Sequence, residues 1–301
     1  MNKGKDLSGT WRMVAAMALS GTIGLFVFFS GQTALTVVWW RCLIGGLALL
    51  AWLTLQGGWQ RLDRRAFKWL LVGASALIVN WLCLFSAYRL SSISLATVVY
   101  HVQPFFLLIL TALLQKEALD WRKVPWLGLA LVGVALSTGL DWGGQTSNLA
   151  LLGILLALSA ALLYAVATLA TRKLSGLPPA QIAGLQLLFG AVVLAPWLDF
   201  SAAGFDTKTW VSLLTLGLVH TGLMYNLMYA AFQRLAAKRI AALSFVYPLA
   251  AIVVDLQFFN LRLSAIQVLG MGLILLALLA QQRNWRFTIF ARKTPTQDPT
   301  Q

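Results

Sequence analysis

Ten apolar runs divide this chain, and their length leaves few folds open to it. They lie at Trp11–Phe29, Leu35–Leu55, Phe67–Leu90, Leu95–Gln115, Val124–Leu140, Leu149–Thr171, Ala180–Leu198, Thr209–Gln233, Ile240–Phe259 and Ser264–Gln282. A bilayer core takes about 20 mostly apolar residues of helix, whereas a membrane strand takes about 10 of alternating polarity. These runs are continuous and too long for strands, so they read as helices. The 301 residues are 11% charged, against roughly 25% in soluble domains. Ten spans with short connections use up the chain and leave no room for a sizeable soluble domain. The expected fold is therefore an all-α polytopic membrane protein. The start, MNKGKDLSGTWR, leads into a full-length span without a small-residue cleavage site, so no cleaved signal is expected. Cys42 and Cys83 both fall inside apolar runs and suggest neither a disulfide framework nor a metal site.

Positive charge is distributed unevenly along the chain. Nineteen of the 23 lysines and arginines fall in the N-terminus, the even-numbered connections and the tail. Only Arg89, Lys208 and Arg262 fall in odd-numbered connections, and Arg41 lies inside the second run. Cytoplasmic loops collect Lys and Arg, so both termini are expected in the cytoplasm and the number of spans is even. The formal charge of +14 thus reports orientation, and no nucleic-acid partner is expected. The tail, Arg283–Gln301, contains RNWRFTIFARK, a basic and aromatic stretch suited to the anionic inner surface of the membrane.

An internal repeat adds symmetry. Tyr88–Pro104, YRLSSISLATVVYHVQP, aligns without gaps on Phe232–Pro248, FQRLAAKRIAALSFVYP. The offset of 144 residues also sets Trp81 on Tyr225, Gly73 on Gly217 and Gly128 on Gly272. Runs three and four thus match runs eight and nine. A shift of five helices is odd, so the two halves cross the membrane in opposite senses, an arrangement used by transporters. The expected division is 1–145 and 146–282 as two inverted five-helix repeats, followed by the cytoplasmic tail 283–301.

The residues in these repeats resemble the EamA module of the drug/metabolite transporter superfamily. The fourth run has the module's small residues, mid-helix proline, glutamate and glycine-spaced final helix, here Ala96, Pro104, Glu117, Gly128 and Gly133. Arg41 matches an arginine common in the module's second helix. The second half carries RIAALSFVYPLAAIVV and the glycine-spaced helix around Gly270, but Leu261 stands where the module has its glutamate. The resemblance implies export of small metabolites, often amino acids, from bacteria, and is strongest to the aromatic amino-acid exporter branch. It implies a multi-pass protein of the bacterial inner membrane, with a small-molecule substrate and the lipid bilayer as its partners. A monomer suffices for that role, and the sequence leaves oligomeric state open.

No enzyme signature accompanies these features. H-E-x-x-H, G-x-S-x-G and C-x-x-C are missing, and the deep parts of the runs hold no Asp, Glu or Lys. No cofactor is expected. Polar groups inside a bilayer must be buried in protein or face a water-filled cavity. The candidates for substrate binding are Arg41, Asn80, Trp81, Tyr100, His101, Gln103, Tyr164, His220, Tyr225, Ser244 and Tyr247, with Ser159 and Asn226 also near mid-span. Each also has a plain structural reading, as a helix–helix hydrogen bond or an apolar core ring. Helical spacing puts Thr97, His101 and Pro104 on one stripe and Trp81 with Tyr88 on another. Arg41 suits a carboxylate by its two-pronged geometry, or else locks helices through backbone carbonyls. Trp11, Trp69, Trp126, Trp210 and Trp285 sit near run ends as interfacial anchors, while Trp39, Trp40 and Trp197 are placed for an outer vestibule. Pro104 and Pro248 each remove a helical hydrogen bond, as fixed kinks or as a symmetric pair of hinges. Alternating access around a central aromatic and polar cavity is the expected mechanism. A lipophilic-cation or multidrug exporter and a non-transporting membrane scaffold are the alternatives.

Overall fold

A computed structural model describes residues 3–115, 124–137, 148–174, 176–199, 204–232, 246–260 and 262–283, together with Leu235, Leu243 and Trp285. The first half supplies α1 (Lys3–Phe29), α2 (Ala34–Leu55), α3 (Arg64–Leu90), α4 (Ile93–Tyr100), α5 (Gln103–Gln115) and α6 (Val124–Ser137). The second supplies α7 (Asn148–Arg172), α8 (Pro179–Leu194), α9 (Thr207–Leu214), α10 (Met224–Phe232), α11 (Val246–Phe258) and α12 (Ala265–Gln282). Among the described residues there is no strand. Six helices are long and apolar enough to cross a membrane: Leu7–Phe29, Ala34–Leu55, Arg64–Leu90, Ile93–Leu114, Asn148–Arg172 and Pro179–Trp197. Pro125–Leu136, Val246–Phe258 and Ala265–Ala280 are shorter apolar helices. Glu117, Leu261 and the tail from Arg286 lie outside the described residues.

Helix starts follow local chemistry. Thr33, Asp63, Ser92 and Asp206 each accept a hydrogen bond from the backbone N–H three residues on, which satisfies one of the free amides of a first turn. Two irregularities interrupt long helices. The fourth run breaks after Tyr100 and resumes at Gln103. Pro104 has no N–H to give the Tyr100 carbonyl, and the chain tightens through Val102 N–H to Val99 O and Phe105 N–H to Val102 O. The sequence predicts a kink here; the structure has a full break one turn before the proline. The second irregularity is a π-helical stretch, Thr215–Leu223, joining α9 to α10.

Packing brings the two halves into contact along most of their length. α3 lies on α7, α2 on α8, α6 on α12, and α1 between α10 and α11. α4 touches both α7 and α11. Close backbone approach depends on small residues. A Cβ added at Gly21 on α1 would lie 2.4 Å from Ala250 Cβ and 2.9 Å from Tyr247 O of α11. One at Gly133 on α6 would lie 2.7 Å from the Gly270 carbonyl oxygen of α12. Glycine is what lets these helix pairs touch, as is usual where lipid provides no hydrophobic drive between helices. The outer surface stays apolar, with Val79, Leu155, Val192 and Leu256 exposed, as a lipid-facing surface requires.

Candidate functional site

A cavity of about 450 Å³ opens inside the bundle, lined from α1, α2, α3, α4, α5, α7, α10 and α11. One wall is aromatic. Trp81, Phe85 and Tyr88 follow one another along a face of α3, with ring centroids 6.4 and 5.9 Å apart. Tyr88 and Tyr247 meet across the cavity through their hydroxyls at 3.1 Å. The facing wall holds Tyr100 edge-on to Tyr164 at 5.7 Å, and His101 against the Tyr247 ring at 4.9 Å.

The break before Pro104 gives His101 its setting. Its Nδ1 lies 2.7 Å from Thr97 O. A carbonyl only accepts, so Nδ1 carries a proton and the other ring nitrogen is left for the cavity. Gln103, the first residue of α5, also lines the cavity.

Arg41 enters from α2 and is 2% exposed. Its Nε donates to Thr221 Oγ1 at 3.0 Å and its Nη2 to His220 O at 3.2 Å. Both acceptors belong to the π-helical stretch, where Thr221 Oγ1 in turn donates to Leu216 O five residues back, at 2.9 Å. The guanidinium carbon sits 4.0 Å above the Trp81 ring centroid and 5.8 Å from that of Phe85, distances at which a cation is attracted to the ring face. Arginine presents five N–H donors, and among the described residues these two bonds leave the others without a protein acceptor.

A fourth component is absent from the sequence expectations. Met13 and Met17 of α1, and Met224 and Met228 of α10, line one side of the cavity. The chain has six methionines in all, so their gathering here sets the character of that wall. Each pair is spaced i, i+4 on its helix, which puts both side chains on one face. Ser20 Oγ lies 3.1 Å from the Met224 sulfur and ties the two helices together. Tyr88, on the Trp81 stripe, also lines the cavity, and Phe85 and Leu84 are further lining residues outside the predicted set.

Of the predicted binding residues, Arg41, Trp81, Tyr100, His101, Gln103, Tyr164, Tyr225 and Tyr247 line the cavity. Asn80 lies behind the wall, fully buried, donating from Nδ2 to Ala160 O at 2.6 Å and toward Tyr100 Oη at 3.4 Å. His220 is also off the wall. Its ring nitrogens meet Thr22 Oγ1 at 2.9 Å and Thr215 O at 3.2 Å, so it joins α1 to the π-helical stretch. Ser159 faces outward and is exposed. Ser244 and the Asn226 side chain lie outside the described residues. Pro104 stands at the break, and Pro248 lies in α11, with Ser244 and Phe245 just before that helix outside the described residues.

Polar contacts tie the helices together near one end of the cavity. Asp255 of α11 accepts from Ser94 N–H at the start of α4. Thr209 Oγ1 donates to Ser30 O at 3.0 Å, and Arg89 donates to Gln32 O. Trp39 Nε1 donates to Ala191 O at 2.8 Å, and Trp40 packs edge-on to Trp210 at 4.8 Å. Trp197 is 65% exposed.

Known proteins give this arrangement a context. The EamA-like transporter family matches the chain twice, over residues 7–139 and 151–280. An uncharacterized transporter of Bacillus subtilis, YxxF, is 30% identical over 94% of this chain and 93% of its own length. A protein of Salmonella typhimurium named a probable amino-acid metabolite efflux pump is 28% identical over 61% of this chain and 65% of its own. Its namesake from Escherichia coli is 27% identical over the same shares, 61% and 65%. One protein of known crystal structure shares the fold with a TM-score of 0.64, at 19% identity over 95% of this chain and 99% of that one.

Proposed function

Because this chain belongs to the EamA-like transporter family, we propose that it exports small amphipathic metabolites across a bacterial inner membrane by alternating access through the central cavity. Amino acids with apolar or aromatic side chains are the favoured substrates. The observation that carries this reading is the composition of the cavity wall. Arg41, Trp81 and His101 come from the first half and Tyr164, Tyr225 and Tyr247 from the second, so any motion between the halves remakes the site.

The proposed architecture is ten membrane helices in two inverted five-helix repeats, 1–145 and 146–282, with both termini cytoplasmic. Its support is the contact pattern. Exchanging the first five spans for the second five turns the α3–α7 contact into α10–α1. The same exchange turns α1–α11 into α7 with α4 and α5, and turns α2 on the π-helical stretch into α8–α3, all of which are present. The α2–α8, α4–α11 and α6–α12 contacts map onto themselves. In this orientation Asp255, Arg89 and Thr209 lie toward the periplasmic ends of their helices, and their contacts hold that face shut. Substrate then loads from the cytoplasm, and release requires the Tyr88–Tyr247 contact and the Asp255–Ser94 contact to part. The break at His101–Val102 gives the fourth span a place to bend.

The described cavity lining includes no Asp or Glu, and proton-coupled carriers commonly use such groups or histidines as relays. His101 is the one histidine among the described lining residues, so we assign facilitated or weakly proton-linked movement down the substrate's own gradient. The same lack of a carboxylate makes the lipophilic-cation exporter the weaker reading. Counterflow of labelled amino acids in proteoliposomes tests the proposal. Saturable exchange, unchanged by a proton uncoupler and lost in His101→Ala and Trp81→Ala, is the expected result. No flux of any metabolite through a demonstrably folded protein would reject transport in favour of a scaffold.

A further inference from the structure

The described wall of the cavity contains one fixed charge. Arg41 is buried, its Nε and Nη2 are engaged by Thr221 and His220, and its remaining N–H groups have no protein acceptor among the described residues. No carboxylate is among the described lining residues. Asp255 is occupied at the start of α4. A guanidinium held inside a bilayer without a counter-ion is costly, and an anion that completes its hydrogen bonds relieves that cost.

The same geometry works against a second positive charge. Aromatic faces are the other common means of holding an ammonium group. Here Arg41 already lies over Trp81 at 4.0 Å and near Phe85 at 5.8 Å, so the α3 rings closest to it, including the one tryptophan among the described lining residues, serve a cation the protein itself supplies. An ammonium in the cavity would meet Arg41 without a fixed negative charge to offset the repulsion. The rest of the wall asks little of a ligand's shape, because the thioether side chains of Met13, Met17, Met224 and Met228 adapt to many apolar bodies.

From this we infer that the site selects its substrate by charge. It takes apolar monocarboxylates whose nitrogen is uncharged or absent, such as N-acylated or deaminated amino acids, ahead of zwitterionic amino acids, and it refuses organic cations. The carboxylate sits on Arg41 and the apolar body lies along the methionine wall. This inference rests on the transport reading above and refines its substrate order for the same cavity: amino acids remain substrates, behind their N-acylated or deaminated relatives.

Three compounds on one scaffold test it: N-acetylphenylalanine (anion), phenylalanine (zwitterion) and phenylalaninamide (cation). Binding to the purified protein in nanodiscs is measured by calorimetry, and flux of each by labelled uptake into proteoliposomes. The expected ranking is anion over zwitterion by roughly tenfold, the scale of one charge-assisted contact, with no measurable binding of the cation. The wild-type ranking needs no variant. Arg41→Gln, checked for folding by its melting curve, should erase the anion's advantage, and Arg41→Lys should restore part of it. If the zwitterion or the cation binds and moves at least as well as the anion, the inference falls and transport stands. If none of the three binds and no other metabolite moves, both fall.

Discussion

Replacing Gly21 with alanine adds one methyl group at the crossing of α1 and α11. The new carbon would lie 2.4 Å from Ala250 Cβ, with Ala251 N and Tyr247 O both at 2.9 Å. None of these atoms belongs to a side chain that can rotate away, so the helices themselves must separate. Reaching ordinary carbon–carbon contact at about 3.6 Å takes a displacement of about 1.2 Å. Along the hydroxyl axis, that shift would carry the Tyr88–Tyr247 separation from 3.1 Å to about 4.3 Å, outside hydrogen-bonding range. Overpacking of this kind costs about 1–3 kcal/mol. Gly128 on α6 is the control, because an added Cβ there meets nothing within 4 Å. Gly128→Ala should be neutral or stabilising by up to ~1 kcal/mol through helix propensity. Reversible unfolding of both variants in mixed micelles reads the difference, and ligand affinity reads the shift of Tyr247. A Gly21→Ala protein as stable as Gly128→Ala, with unchanged affinity, would refute the packing argument.

Other outcomes follow from individual contacts. Asn80→Leu removes the bond to Ala160 O, but also a buried Oδ1 with no partner. Its unfolding free energy should fall by only about 1 kcal/mol, while Asn80→Asp, which buries a charge, should fall further. Asp255→Ala removes the acceptor for Ser94 N–H, so a cysteine placed by Ser94→Cys should react faster with an impermeant thiol reagent added outside whole cells. An unchanged labelling rate would show that Asp255 does not help close that face. Asp206, outside the membrane spans, is held below the usual carboxylate range because Thr209 donates to it at the start of α9. Stability from such a depressed group is present above the unfolded value and is lost as pH falls through the folded one. Hydrogen exchange at the α9 amides, corrected for intrinsic rate, should therefore accelerate on acidification in the wild type. It should not do so in Asp206→Asn, which keeps a capping oxygen at every pH.

The polar part of the site was legible in the sequence and the apolar part was not, for a physical reason. In water, an apolar stripe marks the face a helix buries. In a bilayer the lipid-facing and core-facing sides are both apolar, so only residues costly to lipid reveal which way a helix faces. Arg41, Tyr100, His101 and Tyr247 stood out on that ground. Met13 and Met17 did not, since nothing in their helix separates them from exposed Val14; the i, i+4 spacing of two methionine pairs is their one mark in the sequence. His220 and Asn80 carried the same polar signal, yet they turn to neighbouring helices, because a backbone carbonyl or a threonine hydroxyl satisfies them as well as a ligand would. Pro104 announced a bend, but the complete break depends on how the freed carbonyl is accommodated. The π-helical stretch that receives Arg41 had no sequence mark at all.

Alternating access is best tested by single-cysteine accessibility. Met228→Cys is placed in a Cys42→Ala, Cys83→Ala background and labelled with an impermeant reagent from each side of oriented membrane vesicles. The account predicts reaction from the cytoplasmic side in the resting protein, and an inverse change in labelling from the two sides when substrate is added. Reaction confined to one side under every condition, with substrate shown to bind, would contradict it.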